Sequence, residues 1–516
     1  MTLTRYGPEA WLLRFAERAD EAAFDRSRQL VAALEHRPPA GLAEAIPAFT
    51  TLLLRFAGPP PVETEIRNWQ DAAAAAPAVN APAGRHHELP VHYAGPDLIR
   101  VAKHAGLTVA EIIDRHTAVA YRVHCLGFAP GFPYLGGLDP KLHTPRFASP
   151  RPRILPGSVA IGGEHTGIYT VASPGGWNLL GQTSVTLFDP RATSLAAMFR
   201  LRAGDSVRFR AVPELPIAEG SPAASLPERP AVGARIRLRA SGLGVSLQDL
   251  GRPGYGQFGV PPGGAMDPYA ASVANRLLDN PASSAALELC LQGQRLEVLA
   301  DGWLAAAGST APRGQRPNSA FRVRAGDVLE FPPGANGVWT YVAIPGGFGG
   351  DAILGSRSAN PRASLGRTGA PGDEFPAAAE RSLALPAAIA RRTLTEAEDV
   401  RDPQAPLRVW PGPQWDSFST EARTRLFSSD WIVSSQCDRV GYRLRGPDLE
   451  SQPDQIISEP VLPGSIQVPA GGQPIVTMPD GPTIGGYPKL GLVDPADLSR
   501  LAQCRPGQSI RFQLQG

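Results

Sequence analysis

Polar and apolar residues alternate at a period of two along much of this chain, and the alternation restarts after the same turn three times. Arg202-Ala-Gly-Asp-Ser-Val-Arg-Phe209, Arg324-Ala-Gly-Asp-Val-Leu-Glu-Phe331 and Arg505-Pro-Gly-Gln-Ser-Ile-Arg-Phe512 each put a glycine where a tight turn tolerates it, then run into a half-buried strand. A second echo sets Pro156-Gly-Ser-Val-Ala-Ile161, followed by Gly175-Gly-Trp177, against Pro463-Gly-Ser-Ile-Gln-Val468, followed by Gly485-Gly-Tyr487. The first and third units therefore read as duplicated barrels. Helical spacing is rarer. An amphipathic helix near Glu21 to Leu34 and an apolar strand at Thr50 to Phe56 predict a small α/β head. Further on, Asp97 is expected to cap a helix that Gly106 ends, and Thr108 with Glu111 to form a capping box for the next, with His116 in its last turn. Strands alternate from Tyr121 to Phe209. Asp267-Pro268 opens a helix with Ala270, Val273, Ala274 and Leu277 on one face, stopped by Asp279-Asn-Pro281 and expected to plug one end of the second barrel.

The fold class that follows is mainly β, with an α/β N-terminal head and three barrel units. Residues 1–84 form the head, including an Ala/Pro linker at Ala72 to Gly84, and 85–212 the first barrel. A tether rich in Pro, Ala, Ser and Glu occupies 213–230 and reads as a seam between two once-separate proteins. The second barrel spans 231–375, a connector 376–406, and the third barrel 407–516. At 516 residues, three repeats and a head fit the usual domain size.

Composition narrows the function. A hydrophobic fraction of 43%, with neither a basic leader before an apolar run nor a spanning segment, predicts a soluble cytoplasmic protein off the membrane. Cys125, Cys290, Cys437 and Cys504 are too scattered for a disulfide framework or a zinc knuckle, so no metal is expected. The net charge of +2 is spread along the chain, which argues against nucleic acid. All nine histidines fall within the first 165 residues, so acid or base chemistry in the remainder needs other residue types. Three of the fifty basic residues are lysines, and Lys489, inside Gly485-Gly-Tyr-Pro-Lys-Leu-Gly491, is a candidate for a place that requires a compact ammonium.

The densest functional segment is Gly127-Phe-Ala-Pro-Gly-Phe-Pro-Tyr-Leu-Gly-Gly137, leading to Arg146 and Arg151. Rigid Gly/Pro backbone with aromatics, Tyr134 among them, suits the wall of a pocket for a small ring-shaped ligand, and the two arginines offer planar forks to a carboxylate or phosphate. His116, at a helix C-terminus, would have its cation favoured by the dipole. Asp438-Arg-Val-Gly-Tyr-Arg443 gathers a carboxylate, the guanidiniums of Arg439 and Arg443 and a phenol around one glycine turn. There is no Gly-x-x-x-x-Gly-Lys-Ser/Thr loop and no His-Glu-x-x-His.

Leu126-Gly-Phe-Ala-Pro-Gly-Phe-Pro-Tyr-Leu135, the Pro156-Gly-Ser158 turn and Ser173-Pro-Gly-Gly-Trp177 closely resemble the B component of 5-oxoprolinase (PxpB), also called KipI or allophanate hydrolase subunit 1. Gln248-Asp-Leu-Gly-Arg-Pro-Gly254, Gly259-Val-Pro-Pro-Gly-Gly-Ala-Met-Asp267, Gly355-Ser-Arg357, Gly412-Pro-Gln414, Asp438-Arg439, Gly441-Tyr-Arg443 and Gly485-Gly-Tyr-Pro488 resemble the C component (PxpC, KipA, allophanate hydrolase subunit 2). The chain departs from that pattern at Ala307-Gly-Ser309, Ala359 and Asp480-Gly-Pro-Thr-Ile484.

The resemblance implies cyclophilin-like barrels and a fused B–C component. Such a component opens 5-oxoproline to glutamate with ATP and a separate A subunit, and a homo-oligomer is expected. The same modules resemble the carboxyltransferase part of urea carboxylase, which would call for a biotin carrier protein. Met1, Met198, Met266 and Met478 have no adjacent lysine, so this chain carries no biotin itself. A third reading is a binding module that inhibits a histidine kinase. For a small-molecule substrate held between the Gly127 to Arg151 region and the third unit, Arg146, Arg151, Arg439, Arg443 and Tyr134 are the binding candidates. His116, Asp438 and Lys489 are the catalytic ones.

Overall fold

The computed structural model describes residues 1–18, 20–75, 84–216, 232–334, 337–379, 381, 383, 391–393, 402, 405–450 and 455–515. Most of the expected linker at Ala72 to Gly84, of the 213–230 tether and of the 376–406 connector lies outside these residues.

The head is a four-stranded antiparallel sheet in the order Thr2–Arg5, Ala10–Arg14, Thr51–Phe56, Leu42–Pro47. Its period-two alternation sends two sets of side chains to opposite faces. Trp11, Leu13, Leu52 and Leu54 pack with Leu30 and Leu34 of the helix Glu21–His36 and Ile66 of the helix Glu63–Ala75. Ala10, Leu12, Ile46 and Leu53 face the other way and join Tyr6 and Leu492 in a second cluster, so the head is buried against the far end of the chain.

Two sheets of seven and eight strands close nearly into barrels, and they are built on one plan. In each, the final strand pairs parallel with the first: Ser206–Ala211 with His86–Val91, and Phe512–Leu514 with Leu407–Pro411. In each, a Pro-Gly-Ser turn has a left-handed glycine, Gly157 at φ 82° and Gly464 at φ 93°. The strands that follow meet their partners in the same register, bulge included. Ser158, Val159 and Ala160 face Gln182, Gly181 and Leu179, while Ser465, Ile466 and Gln467 face Leu492, Gly491 and Lys489. Each barrel-like sheet also carries a two-stranded ribbon, in which Arg151 faces Gly175 and Glu459 faces Gly485. The duplication read from the two sequence echoes is thus a duplication of hydrogen-bond register.

The three octapeptide turns share one geometry. Gly204, Gly326 and Gly507 have φ of 91°, 92° and 86°. The backbone N–H of Arg202, Arg324 and Arg505 donates to the side chain of Asp205, Asp327 and Gln508, respectively.

The middle of the chain forms a four-stranded sheet and a six-stranded sheet that share a core of Ile236, Leu238, Leu287, Leu296, Leu304, Phe321 and Phe375. The helix Pro268–Arg276 begins where expected, Asp267 accepting from Ala270 N. It does not plug a barrel end. Its small residues lie on the opposite face of the six-stranded sheet, against Ala286, Ala305, Ala307 and Ala343, in a cluster continuous with Leu407, Val409 and Tyr442 of the last sheet. Small side chains on both surfaces let backbone approach backbone, which is why an alanine-rich helix serves as the mortar between the middle and last regions.

A second expectation is also corrected. The capping box of Thr108 and Glu111 is present, and Gly106 ends the preceding helix at φ 67°. Asp97, however, gives that helix Leu98–Ala105 no side-chain cap. Its carboxylate accepts instead from Arg151 Nη2 at 2.6 Å and from Leu179 N at 2.7 Å.

Candidate functional site

Two buried ionic networks occupy the junction of head, middle and last regions. The first centres on Glu459. Its Oε2 accepts from Arg14 Nη2 at 2.7 Å, and its Oε1 lies 2.7 Å from both Lys489 Nζ and Gln414 Nε2. Gln414 Oε1 accepts from Lys489 N, so one amide fixes both members of the pair. Lys489 is fully buried, at the bulge of the strand Lys489–Val493. Burial pulls its proton affinity down and the Glu459 carboxylate pulls it back up, leaving it below the ordinary lysine value. Burial acts on Glu459 in the opposite sense, but the neighbouring Lys489 and Arg14 outweigh it and hold this carboxyl below its usual range.

The second network centres on Arg439. Its Nη1 donates to Glu288 at 2.5 Å, its Nε and Nη2 to Asp480 at 2.7 and 3.1 Å, and Nη2 also to Gly264 O at 2.7 Å. Glu288 in turn accepts from Tyr341 Oη and Met266 N. Asp480 is buried, which raises its pKa although Arg439 opposes the rise. Beside this network Asp249 accepts from Ser356 Oγ, Ser358 Oγ and Arg357 N, and Arg252 donates to Ile353 O and Ser358 O. The Gln248 to Gly254 and Gly355 to Arg357 motifs are therefore one folded object. Arg252 is buried, and its Nη1 has no hydrogen-bond partner.

Between the networks lies a cavity of about 350 Å³. Tyr6, Glu9, Glu44 and Arg55 of the head, Arg252 and Met266 of the middle, and Val461, Thr483 and Leu492 of the last sheet are among its walls. Glu44 holds Arg55 at 3.1 Å and accepts from Gly256 N at 2.6 Å, which ties head to middle. The Thr483 hydroxyl is buried without a partner. A mostly apolar cavity of this size with a few polar groups can take a small molecule.

The residues anticipated from sequence separate into groups. Lys489 and Arg439 lie in the two networks flanking the cavity, although neither lines it. Tyr134 is buried in an aromatic cluster with Phe49, Phe132 and Trp177. Arg146 lies 5.4 Å over Trp177, and Arg151 pairs with Asp97 and stacks 4.5 Å from the centre of Phe147. Neither arginine shares a described cavity with Lys489. Asp438 shapes its own turn by accepting from Val440 N and Gly441 N, and pairs with Arg362 at the surface, while Arg443 is exposed.

His116 requires a correction. It is buried, bonded to Tyr93 Oη at 2.6 Å and Thr166 Oγ1 at 2.9 Å, and stacked on Phe209. Desolvation lowers its pKa to about 3, so the imidazole is neutral and the dipole argument for a cation fails. The sequence reading missed Arg14, Glu459, Glu288, Asp480 and Arg252. Arg252 and Asp480 stand inside segments singled out for other reasons, and Glu459 precedes a proline in a short edge strand, but nothing local to Arg14 announces a partner 445 positions away.

Among the described residues no helix is long and apolar enough to cross a membrane, and no cluster of His, Cys, Asp and Glu side chains has metal-binding geometry.

Two family models match the chain: carboxyltransferase domain, subdomain C and D, over residues 1–198, and carboxyltransferase domain, subdomain A and B, over residues 258–514. The second part is similar to the C component of Escherichia coli 5-oxoprolinase, with 33% identity over 54% of this chain and 90% of that protein. The first part is similar to the B component of Bacillus subtilis 5-oxoprolinase, with 38% identity over 41% of this chain and 93% of that protein. The crystal structure of TTHA0988 superimposes with a TM-score of 0.83 and 36% identity, covering 98% of this chain and 99% of the other.

Proposed function

Because the chain belongs to the family of 5-oxoprolinase B and C components, with both kinds joined in one polypeptide, we propose that it is the B–C component of a 5-oxoprolinase that opens 5-oxoproline to L-glutamate together with a separate A subunit. The observation that carries this reading is the cavity at the junction. Its walls come from both parts, so fusing the two components assembles one site from two halves.

Opening a lactam puts negative charge on the carbonyl oxygen, and donors fixed in advance outside bulk water stabilise it by about 3 kcal/mol each when well placed. Arg252 at the cavity wall has an unused N–H, and Lys489 and Arg14, which share the carboxylate of Glu459, add net positive charge in the adjoining network, whereas Arg439 is matched by Glu288 and Asp480. Glu459 and Asp480 hold those cations in place.

The family brings ATP to the reaction. The cavity is a poor host for a triphosphate, since Glu9 and Glu44 line it, Arg55 is neutralised by Glu44, and Arg252 has Asp249 and Asp480 beside it. We assign ATP use to the separate A subunit.

The test is ATP-dependent glutamate release from 5-oxoproline by the purified chain, with and without a cognate A subunit. Release only in the combined sample supports the reading; none with any A subunit rejects it. The carboxyltransferase description of both family models favours one alternative, carboxyl transfer from a biotin carrier. Consumption of carboxybiotin in place of glutamate release would establish that alternative.

A further inference from the structure

The duplicated register allows the surroundings of one barrel-like sheet to be compared, place by place, with those of the other. In the last sheet the ribbon Glu459–Pro460 with Ile484–Gly485 is covered by the head. Arg14 reaches Glu459, Leu462 packs against the cluster of Tyr6, Leu12, Ile46 and Leu53, and Tyr6 Oη is 2.6 Å from Ser465 Oγ. The matching ribbon of the first sheet is Arg151–Ile154 with Ser173–Gly175; it carries a bulge of one extra residue that the other ribbon lacks, and the corresponding places are held by Arg151, opposite Gly175, and by Leu155 and Ser158 around the Pro-Gly turn.

Of these counterparts Leu155 is exposed and Arg151 is partly exposed beside its own partner Asp97, while Ser158 is buried. The Glu459 side chain is 1% exposed and that of Arg151 is 30% exposed. Leu462 is packed, whereas Leu155 is 55% exposed. The charge is also reversed. An acidic residue in the last sheet receives an arginine from the head, while in the first sheet an arginine stands in the acidic residue's place. More cations surround it: Arg100 and Arg151 lie 4.3 and 4.5 Å from the centre of the Phe147 ring, Arg146 lies over Trp177, and Arg153 is on the same strand as Arg151. Arg146 and Arg153 form no ion pair among the described residues.

We propose that the ribbon Arg151–Ile154 with Ser173–Gly175 is the docking surface for a separate protein, which brings carboxylates to this arginine cluster and an apolar side chain to Leu155. The docking mode copies that of the head on the last sheet, with the signs of the charges exchanged. Like-charged contact would exclude a second head from this ribbon, because Arg14 would meet Arg151. The identity of the partner as the A subunit rests on the function proposed above.

The experiment measures the affinity of the full chain for its cognate A subunit by titration calorimetry at 50 and 500 mM NaCl, with Arg153→Glu/Leu155→Ser as the test variant. Leu243→Ser, a residue 64% exposed in the middle region, is the control. Both test positions are at the surface, and unchanged melting temperatures verify folding. The expected result is a Kd raised at least about tenfold in the test variant, unchanged in the control, and weakened by salt in the wild type. An unchanged Kd, the absence of any complex, or a wild-type homodimer that the variant dissociates while A-subunit binding stays intact would each overturn the docking surface. Turnover is read separately. Glutamate release with undiminished variant affinity removes the docking surface alone, whereas a variant-sensitive complex without turnover removes the proposed reaction alone.

Discussion

Arg151 and Glu459 occupy the same place in two copies of one structural plan: each sits opposite the first glycine of a Gly-Gly pair, Gly175 and Gly485, and each bonds a side chain that also caps the neighbouring strand's amide. That side chain is Asp97 for Arg151 and Gln414 for Glu459, and the capped amides are Leu179 N and Lys489 N. The plan therefore fixes where a polar group must be, while leaving its charge free. In the last sheet the choice of Glu459 and Lys489 creates a buried pair, and in the first sheet Leu179 stands where the lysine would be.

Glu459→Gln removes the carboxylate that Lys489 and Arg14 share and leaves a fully buried ammonium beside a largely buried guanidinium. We expect a loss of about 3–5 kcal/mol in unfolding free energy at pH 7, read from urea denaturation, and most of it regained in the double variant Glu459→Gln/Lys489→Met. The pH dependence has a definite sign. The folded Glu459 carboxyl titrates below its ordinary 4.5, so between those two values the unfolded chain holds the extra proton and stability falls as pH falls. That part of the acid limb should be missing from Glu459→Gln.

Lys489→Met keeps the volume of the side chain and discards its charge. Glu459 retains Arg14 and Gln414, so the fold should survive. If Lys489 supplies positive field to a developing oxyanion, kcat in the reaction with the A subunit should drop on the order of 100-fold, with a smaller change in KM. An unaltered kcat would take Lys489 out of the reaction and leave it a structural cation.

Much of this architecture could be read from the chain because turns and strand periods are local. Three octapeptides announced the three turns at Gly204, Gly326 and Gly507, and Pro-Gly-Ser announced the duplicated strands. The site was far less legible. Lys489 and Arg439 stood out by residue type, but their partners Glu459, Glu288 and Asp480 are ordinary acids in sequence, and the pairing of Arg439 with Glu288 spans 151 positions. Arg151 looked like an unpaired anion fork because nothing local records that Asp97 had turned away from its helix to meet it. The helix Pro268–Arg276 was recognised and misplaced for the same reason: its apolar face is written in the sequence, and the surface it meets is not.

His116→Gln tests the neutral histidine. With a folded pKa of about 3 against an ordinary 6.5, the native state excludes a proton that the unfolded chain binds throughout that window. Stability therefore falls as pH falls from about 6.5 toward 3, by on the order of 4 kcal/mol in all. The glutamine variant should start lower at pH 7, having lost the stack on Phe209, and lose less between pH 6.5 and 4. Parallel pH profiles for the two proteins would contradict a buried, neutral imidazole.

The three repeated turns offer a comparison within one molecule. Alanine at Gly326 or Gly507 would meet no atom within 4 Å, so the cost is that of a side chain forced to φ near 90°, about 1–2 kcal/mol. At Gly204 the same methyl would also fall 2.2 Å from the Arg28 guanidinium carbon, which must then leave its place against the turn. Arg28 belongs to the helix Glu21–His36, so this substitution loosens the head from the first sheet as well as straining the turn. Gly204→Ala should therefore lower the melting temperature more than either of the other two. Equal shifts for all three would mean that Arg28 swings clear without cost and that the turn, rather than the contact across it, sets the penalty.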